Sequence, residues 1–245
     1  MTKRAENTNE QNMTLTDHLE DLRWTLIRCG FAVIICAIPC GIFWGRIFDL
    51  AAAYPLRLSD PAPQIIYTTP AEAIMLSIKI ALTGGVLFAS PFIFQQMWRF
   101  ISPGLYKKEK MVILPAAVAS TFCFLAGIAF SYSLLPMMLK FLTGFGAGRL
   151  DPLFRADEYL GFIIRICLAF GAAFQLPVVA FVLSKMGVID HRFLLRYIRH
   201  SVVGIFILAA ILTPPDVLSQ VLLAAPLLVL YAASILICYF SRRKT

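Results

Sequence analysis

Six stretches of the chain contain no charged residue, and links that carry charges or prolines separate them. A helix needs about 20 apolar residues to cross the ~30 Å hydrocarbon core of a bilayer. The stretches are residues 29–45, 80–98, 111–139, 166–184, 201–212 and 217–240. The pattern predicts an all-α, polytopic membrane protein with six transmembrane helices. They form one domain over residues 1–245, with a polar leader at 1–14 and a basic tail at 241–245.

The fifth stretch is the shortest. Its 12 residues rise only ~18 Å as a helix. We therefore predict that this helix begins earlier, in the charged stretch after Asp190, whose side chain can cap a helix start. The alternatives are a locally thinned bilayer or a re-entrant hairpin at residues 213–215. A spanning pair is favoured because the charge distribution is consistent only with six crossings.

Positive charges are distributed unequally between the two ends of the predicted helices. Of the 22 Lys and Arg, 15 flank the stretches on one side and five on the other, while Lys79 and Arg165 fall within helices. Since positive charges concentrate on the cytoplasmic side, both termini are predicted to be cytoplasmic, in the cytoplasmic (inner) membrane. The loops at 46–71 and 140–157 then face outside, and their prolines and glycines predict ordered caps with little helix.

Composition excludes several classes of protein. Apolar and aromatic residues make up 59% of the chain and charged residues 15%, and the mean hydropathy is +0.77. Soluble domains have ~45–50% and ~25% respectively, so a soluble enzyme, a disordered binder and a small disulfide scaffold are excluded. The net charge of +8 follows from membrane topology, and no nucleic-acid partner is expected because no basic run is interleaved with aromatics in a polar domain.

Motifs for common enzyme chemistry do not occur in the sequence. The chain has no Gly-Lys pair, hence no Walker A phosphate loop, and it has no HExxH or GxSxG motif. The six cysteines lie in or beside the apolar stretches, where they are interpreted as small apolar side chains. We therefore predict no enzymatic activity, no cofactor and no metal.

Four short strings, spread from residue 18 to residue 220, carry a family resemblance. They are HLEDLR at 18–23, FISPGLYKKE at 100–109, FGAAFQLP at 170–177 and LTPPDVLSQ at 212–220. Together they resemble the TatC family of the twin-arginine (Sec-independent) protein translocase. The resemblance implies a receptor that binds twin-arginine signal peptides of folded precursors. It also implies assembly with TatA- and TatB-type single-helix proteins, self-association in a larger complex, contact with membrane lipid, and transport driven by the proton-motive force.

Acidic residues before the first predicted helix are candidates for contact with the signal peptide. By its pattern alone, Asp21 is a solvated charge in an amphipathic helix start, and Glu20 and Arg23 form an i,i+3 pair. The resemblance implies that the acid at position 21 contacts the arginines of the peptide. The family usually has Glu there, so Glu20 can share or take over the role of the shorter Asp21. Arg23, in the same string, is a further candidate residue of the signal-peptide site.

A second candidate acid, Glu109, falls in the first turn of the third predicted helix, where the helix dipole favours a carboxylate. The resemblance makes it a further signal-peptide contact. Two carboxylates suit two guanidinium groups because each Arg can be held by two parallel hydrogen bonds and a Lys cannot. Phe100 and Leu105 would contact the hydrophobic part of the peptide or serve as interfacial anchors.

Polar residues inside the predicted helices are few. Gln175 lies near the bilayer centre, where a polar side chain faces protein or a water-filled cavity. The family commonly has Glu there, and because Gln cannot titrate we expect a hydrogen-bonding contact with partner helices instead of a proton relay. Lys79 and Arg165 lie ~10 Å from the outer ends of their helices and can extend outward to the membrane surface. Three prolines are expected to kink their helices: Pro136, Pro177 and Pro226.

On the external side the candidates are Asp216 and Pro55. Residues 213–216 fit positions N-cap to N3 of the sixth helix, with Thr213 and Asp216 closing a capping box. The resemblance attaches a function to Asp216 as well. Pro55, in the first external loop, is the second external-side candidate.

The alternative function is a small secondary transporter or channel, in which Lys79, Arg165 and Gln175 would line the pathway. A third and weaker alternative is an intramembrane enzyme. A transporter would bind a small solute and would not distinguish signal peptides.

Overall fold

The structure is a computed structural model, and it describes residues 15–57, 64–101, 113–144, 153–213 and 216–241. Within these residues the chain is nearly all helical, with two very short strands. The elements in chain order are α1 (Leu15–Ile42), α2 (Trp44–Arg57), β1 (Gln64–Ile66), α3 (Pro70–Ile101), α4 (Ile113–Gly144), β2 (Leu153–Arg155), α5 (Ala156–Ala173), α6 (Leu176–Lys185), α7 (His191–Arg196), α8 (Ile198–Leu212) and α9 (Val217–Ser241).

Five helical runs in the described part of the chain are long and apolar enough to cross a membrane. They are His18–Ile42, Pro70–Ile101, Ile113–Gly144, Ala156–Lys185 and Val217–Ser241. Five of the six predicted spans are therefore confirmed as suitable by length and composition. The remaining predicted span, the fifth along the chain, corresponds to α8. This helix has 15 residues and a rise of only ~22 Å, so its crossing stays a prediction.

The helical region before α8 begins where the sequence predicts. The Asp190 carboxylate caps α7 by accepting a hydrogen bond of 2.7 Å from the His191 N–H. A break at Tyr197 then separates α7 from α8. The charged stretch after Asp190 therefore extends the short apolar segment by one further helical piece.

Pro177 interrupts the fourth predicted helix. The helix divides into α5, which ends at Ala173, and α6, which begins at Leu176. Proline has no N–H to donate to the preceding turn, so the hydrogen-bond ladder breaks there and resumes with the Val179 N–H bonded to the Gln175 carbonyl at 2.9 Å. In contrast, α4 and α9 continue without interruption across Pro136 and Pro226.

The loop at 46–71 contains a helix, so the prediction of little helix there was wrong. In α2, Ile47 and Phe48 pack against the core, and Pro55 is buried. The Tyr132 hydroxyl of α4 donates a hydrogen bond of 2.7 Å to the Leu50 carbonyl. The helix forms because these apolar side chains recur on one face, although the charges and the proline between them obscure the pattern.

The two short strands place the beginnings of α3 and α5 side by side. β1 pairs with β2 in parallel, with Gln64 opposite Leu153 and Ile66 opposite Arg155. Each strand leads within a few residues into its helix. We call this part of the molecule, formed by β1, β2 and the first turns of α3 and α5, the strand-bearing end.

Glycines allow two helix pairs to pack closely. A Cβ atom on Gly85 of α3 would lie 2.6 Å from the Val33 carbonyl oxygen of α1. On Gly127 of α4 it would lie 2.7 Å from the Phe170 carbonyl oxygen of α5. Small residues at helix contacts are typical of membrane proteins, where association depends on close packing. These contacts fix α3 against α1 and α4 against α5.

Candidate functional site

The beginning of α1 and the end of α3 meet at the opposite end of α3 from the strands. The rings of His18 and Phe100 are stacked, with centroids 4.4 Å apart and planes 7° from parallel. These residues begin the first and second of the four strings that carry the family resemblance. We call this region, formed by residues 18–23 and Phe100, the N-terminal face.

Charged side chains on the N-terminal face are exposed, and none of them forms an ion pair with another described residue. Glu20, Asp21 and Arg23 are all exposed. Among the described residues the ion pairs are Lys79–Asp157, Arg155–Glu158 and Asp190–His191, so the expected pair between Glu20 and Arg23 does not form. The carboxylates of Glu20 and Asp21 are therefore available to a ligand. Glu109 and Leu105, the other predicted contacts, lie outside the described residues.

Apolar side chains beside these acids are also exposed. Leu19 is 64% exposed, Leu26 is 63% exposed and Trp24 is 49% exposed. Exposed apolar side chains are typical of a lipid-facing or ligand-binding region. The N-terminal face therefore has exposed carboxylates next to exposed apolar side chains, which suits a peptide that carries both cations and a hydrophobic stretch.

Gln175 takes part in a polar network inside the apolar helices. Its amide nitrogen donates a hydrogen bond of 3.0 Å to the Ser120 carbonyl, and the Trp98 indole N–H donates one of 2.8 Å to the buried Ser120 hydroxyl. The network joins α3, α4 and the break between α5 and α6. The side-chain amide oxygen of Gln175 (Oε1) is buried and has no partner among the described residues, so it can accept a hydrogen bond from a group that is not part of these helices.

A buried carboxylate at the strand-bearing end was not predicted. Glu72, only 4% exposed, accepts hydrogen bonds from the Thr68 N–H at 2.9 Å and from the Asp157 N–H at 3.1 Å. The second of these bonds caps the N-terminus of α5 from another helix. The sequence contained one signal for a polar cluster in this helix: Glu72 and Lys79 are seven residues apart and share a helix face.

Lys79 is paired, which differs from the expectation of a side chain that simply extends to the membrane surface. Its ammonium group lies 2.5 Å from the Asp157 carboxylate. Arg165 donates a hydrogen bond of 3.1 Å to the Gly161 carbonyl of its own helix. Lys79, Arg165 and Gln175 thus have three separate sets of partners, and the structure does not join them into the pathway that a small transporter would need.

Asp216 caps α9, but not as predicted. Its carboxylate accepts a hydrogen bond of 2.7 Å from the Ser219 N–H, so Asp216 is itself the N-cap. The Thr213 hydroxyl instead donates a hydrogen bond of 2.9 Å to the Ala209 carbonyl of α8, and the predicted capping box with Thr213 as N-cap is wrong. The second carboxylate oxygen of Asp216 is buried without a partner among the described residues.

Comparison with known proteins decides the family. The family model of the Sec-independent protein translocase protein TatC matches residues 17–226. This range contains all four strings and covers most of the chain. The chain belongs to the TatC family. It is therefore an integral membrane protein and a component of the Sec-independent protein translocase, with a transport role and no enzymatic one.

Individual TatC proteins are similar over nearly their whole length. The TatC of Helicobacter pylori strain J99 is 39% identical over 224 residues, which cover 91% of this chain and 88% of that protein. The TatC of Aquifex aeolicus is 39% identical over 95% of this chain and 97% of its own length. A crystal structure of the twin-arginine translocase receptor TatC, 38% identical, superposes with a TM-score of 0.83 and covers 91% of this chain and 99% of that one.

Proposed function

We propose that this TatC protein is the receptor subunit of its translocase and binds twin-arginine signal peptides of folded precursors at the N-terminal face. The stacking of His18 on Phe100 is the observation that carries this proposal, because it brings together two strings that are 77 positions apart at their nearest ends. The solved relative described as a twin-arginine translocase receptor supports the same function.

The chemistry of the N-terminal face suits a peptide with two arginines. Glu20 and Asp21 present exposed carboxylates that have no ion-pair partner among the described residues. Glu109, nine residues beyond Phe100 in the sequence, would supply another. A carboxylate can hold a guanidinium group by two parallel hydrogen bonds, whereas an ammonium group lacks that geometry. Phe100 and Leu105 would contact the hydrophobic part of the peptide, and Arg23 would limit the local excess of negative charge.

In the topology that we propose, the N-terminal face is cytoplasmic and the strand-bearing end is external. The 15 to 5 distribution of positive charges supports this orientation, with both termini inside and six crossings in the cytoplasmic membrane. Folded precursors are made in the cytoplasm, so a receptor face on that side can meet them. Asp216 and Pro55 then lie on the external side, where they would stabilise the ends of α9 and α2.

Gln175 would contact a partner helix during assembly with TatA- and TatB-type single-helix proteins and with further copies of this chain. The support is its side-chain amide oxygen, which is buried and unpartnered among the described residues. A donor from a partner helix would satisfy that oxygen without a change of charge. Transport would then draw on the proton-motive force through the assembled complex, with no nucleotide bound to this chain.

Site-specific crosslinking tests the proposed receptor function. A photoreactive residue placed at Phe100 should crosslink to a signal peptide with Arg-Arg, and an excess of free Arg-Arg peptide should suppress the product more strongly than Lys-Lys peptide. The same residue placed at Leu50, which is 77% exposed near the strand-bearing end, is the matched control. Equal crosslinking at Phe100 and Leu50, or equal competition by the two peptides, would contradict the proposal.

A further inference from the structure

A groove lies between α4, α6 and α9. Its volume is about 510 Å³, within the range of ~300–1,000 Å³ that is common for small-molecule sites. Its walls are mostly apolar, and they include Cys123, Pro177, Val178, Phe181 and Ile237. Apolar walls of this kind suit a hydrocarbon chain.

Two polar residues lie at one end of the groove. Lys185 is the last residue of α6, and Ser241 is the last residue of α9. The Lys185 ammonium group lies 5.8 Å from the centre of the Phe181 ring, so a positive charge lies directly beside the apolar wall. Since both helices belong to runs long enough to cross the membrane, this end lies at the level of the lipid headgroups.

Ser241 has an unused hydrogen-bonding group. The residue is only 8% exposed, and its hydroxyl has no partner among the described residues. A buried hydroxyl without a hydrogen bond is unfavourable, so an acceptor oxygen from a ligand in the groove would stabilise it. No Asp or Glu is among the described residues that line the groove, so nothing there opposes an anion.

The groove is a built feature of the helix packing. The Ser184 hydroxyl of α6 donates a hydrogen bond of 3.5 Å to the Cys238 carbonyl of α9, and the Cys238 thiol donates one of 3.4 Å to the Ala180 carbonyl of α6. These bonds hold α6 against α9 directly beside Lys185 and Ser241. The ends of α6 and α9 that carry the two polar residues are therefore held side by side.

We propose that this groove binds an anionic phospholipid, with one acyl chain along the apolar walls and the phosphate between Lys185 and Ser241. Ammonium and hydroxyl groups both donate hydrogen bonds to phosphate oxygens, and the charge favours an anionic lipid over a zwitterionic one. In the sequence, Ser241 is followed by three more cations, Arg242, Arg243 and Lys244. Clusters of cations beside transmembrane helices are typical of anionic-lipid recognition.

A partner's transmembrane helix fits the groove less well. One turn of a helix about 10 Å wide, with a pitch of 5.4 Å, fills roughly 400 Å³. The groove extends from Pro177 to Lys185, which is more than two turns of α6. A helix can therefore cover the groove but cannot enter it, whereas an acyl chain can lie inside.

Native mass spectrometry of the full-length protein in detergent tests the proposal. Phosphatidylglycerol should remain bound at concentrations where phosphatidylcholine with the same acyl chains does not. Lys185→Gln and Ser241→Ala should each weaken phosphatidylglycerol binding. For Lys185→Gln we expect binding about tenfold weaker than that of the wild type. Lys140→Gln, which removes an exposed lysine at the other end of α4, is the matched control and should bind as the wild type does.

Further measurements distinguish a lipid from other occupants of the groove. Inorganic phosphate in large excess should not displace the phospholipid, and Phe181→Trp, which fills the groove, should weaken binding of the lipid. A photoreactive residue at Ile237 should crosslink to lipid in membranes. Equal binding of the two lipids, unchanged binding by Lys185→Gln and Ser241→Ala, displacement by phosphate, or a crosslink to a polypeptide instead of lipid would each overturn the proposal. Signal-peptide binding measured on the same variants reports separately on the proposed receptor function.

Discussion

The two ends of α3 use their charged residues in opposite ways. At the strand-bearing end, Glu72 is buried and accepts hydrogen bonds from the beginnings of α3 and α5, and Lys79 is paired with Asp157. At the N-terminal face, Glu20 and Asp21 are exposed and have no partner among the described residues. Charges that are paired or hydrogen-bonded within the fold stabilise it, whereas exposed charges without such partners, beside apolar side chains, are available for a ligand.

The largest expected difference is in thiol labelling from outside the cell, which tests which end of the molecule faces outside. In a cysteine-free background, single cysteines introduced as Ser59→Cys and Gly146→Cys should react with an impermeant thiol reagent added outside the cell. Lys108→Cys and Arg192→Cys should not react, because the charge bias places them in the cytoplasm. Labelling of Arg192→Cys from outside would contradict the proposed six-helix topology.

Replacement of Glu72 should cause the largest loss of stability. Glu72→Leu removes the acceptor for the N–H groups of Thr68 and Asp157 and leaves both donors unsatisfied. We expect the melting temperature in detergent to fall by several degrees. The control is Glu158→Gln, because Glu158 is an exposed acid in an ion pair with Arg155, and such pairs contribute little.

The Glu72→Leu variant also tests whether the two ends of α3 have separate roles. When the fraction of folded protein is taken into account, Glu72→Leu should bind an Arg-Arg signal peptide as the wild type does. A melting temperature equal to that of the control would show that the buried carboxylate does not stabilise the strand-bearing end.

Gln175 lies between the two ends of α3, and its replacement should have an intermediate effect on stability. Gln175→Leu removes one hydrogen bond, to the Ser120 carbonyl, and should cost about 1 kcal/mol of stability. It should weaken late assembly with partner helices more than signal-peptide binding. Gln175→Glu should retain transport, because the family commonly has Glu at this position and a carboxylate oxygen can still accept a hydrogen bond from a partner helix. Co-purification of the partner proteins after addition of precursor measures this step, and full assembly of Gln175→Leu would show that the position only fills space.

A small effect is expected from Asp21 alone. Asp21→Asn should weaken Arg-Arg peptide binding less than about tenfold, because exposed charge interactions are screened and Glu20 lies beside it. The double variant Glu20→Gln with Asp21→Asn should show a clearly greater loss by titration calorimetry. If the double variant binds no more weakly than the single one, Glu20 does not share the role of Asp21.

The membrane helices were predictable from the sequence because an apolar run must be about 20 residues long to cross a bilayer. Local chemistry also allowed the cap at Asp190 to be predicted. At Pro177 it predicted a kink, and the helix is interrupted there. The helix α2 was missed because charged residues such as Arg46 and Asp49 and the buried Pro55 lie within it. Its stability depends on contacts with α4 that the local sequence does not display.

The candidate site was predictable only in part, because its parts are distant in sequence. The strings that contain His18 and Phe100 can be read from the sequence, but the stacking of the two rings is a tertiary contact. The pair Lys79–Asp157 joins residues 78 positions apart, and the sequence contained no local signal for that partner. At α9, both Thr213 and Asp216 had suitable side chains, and only the fold shows that Thr213 closes α8 while Asp216 begins α9.

The most direct test of the receptor proposal is the affinity of Glu109→Gln for two signal peptides, one with Arg-Arg and one with Lys-Lys. A charged hydrogen bond contributes ~1.5–3 kcal/mol, so Arg-Arg binding should weaken by roughly tenfold to hundredfold. The Lys-Lys peptide should bind the wild type weakly and lose little more in the variant, since it lacks the two-hydrogen-bond geometry of Arg. If Glu109→Gln weakens both peptides by the same factor, the carboxylate supplies only general electrostatic attraction, and the proposed recognition of paired arginines is contradicted.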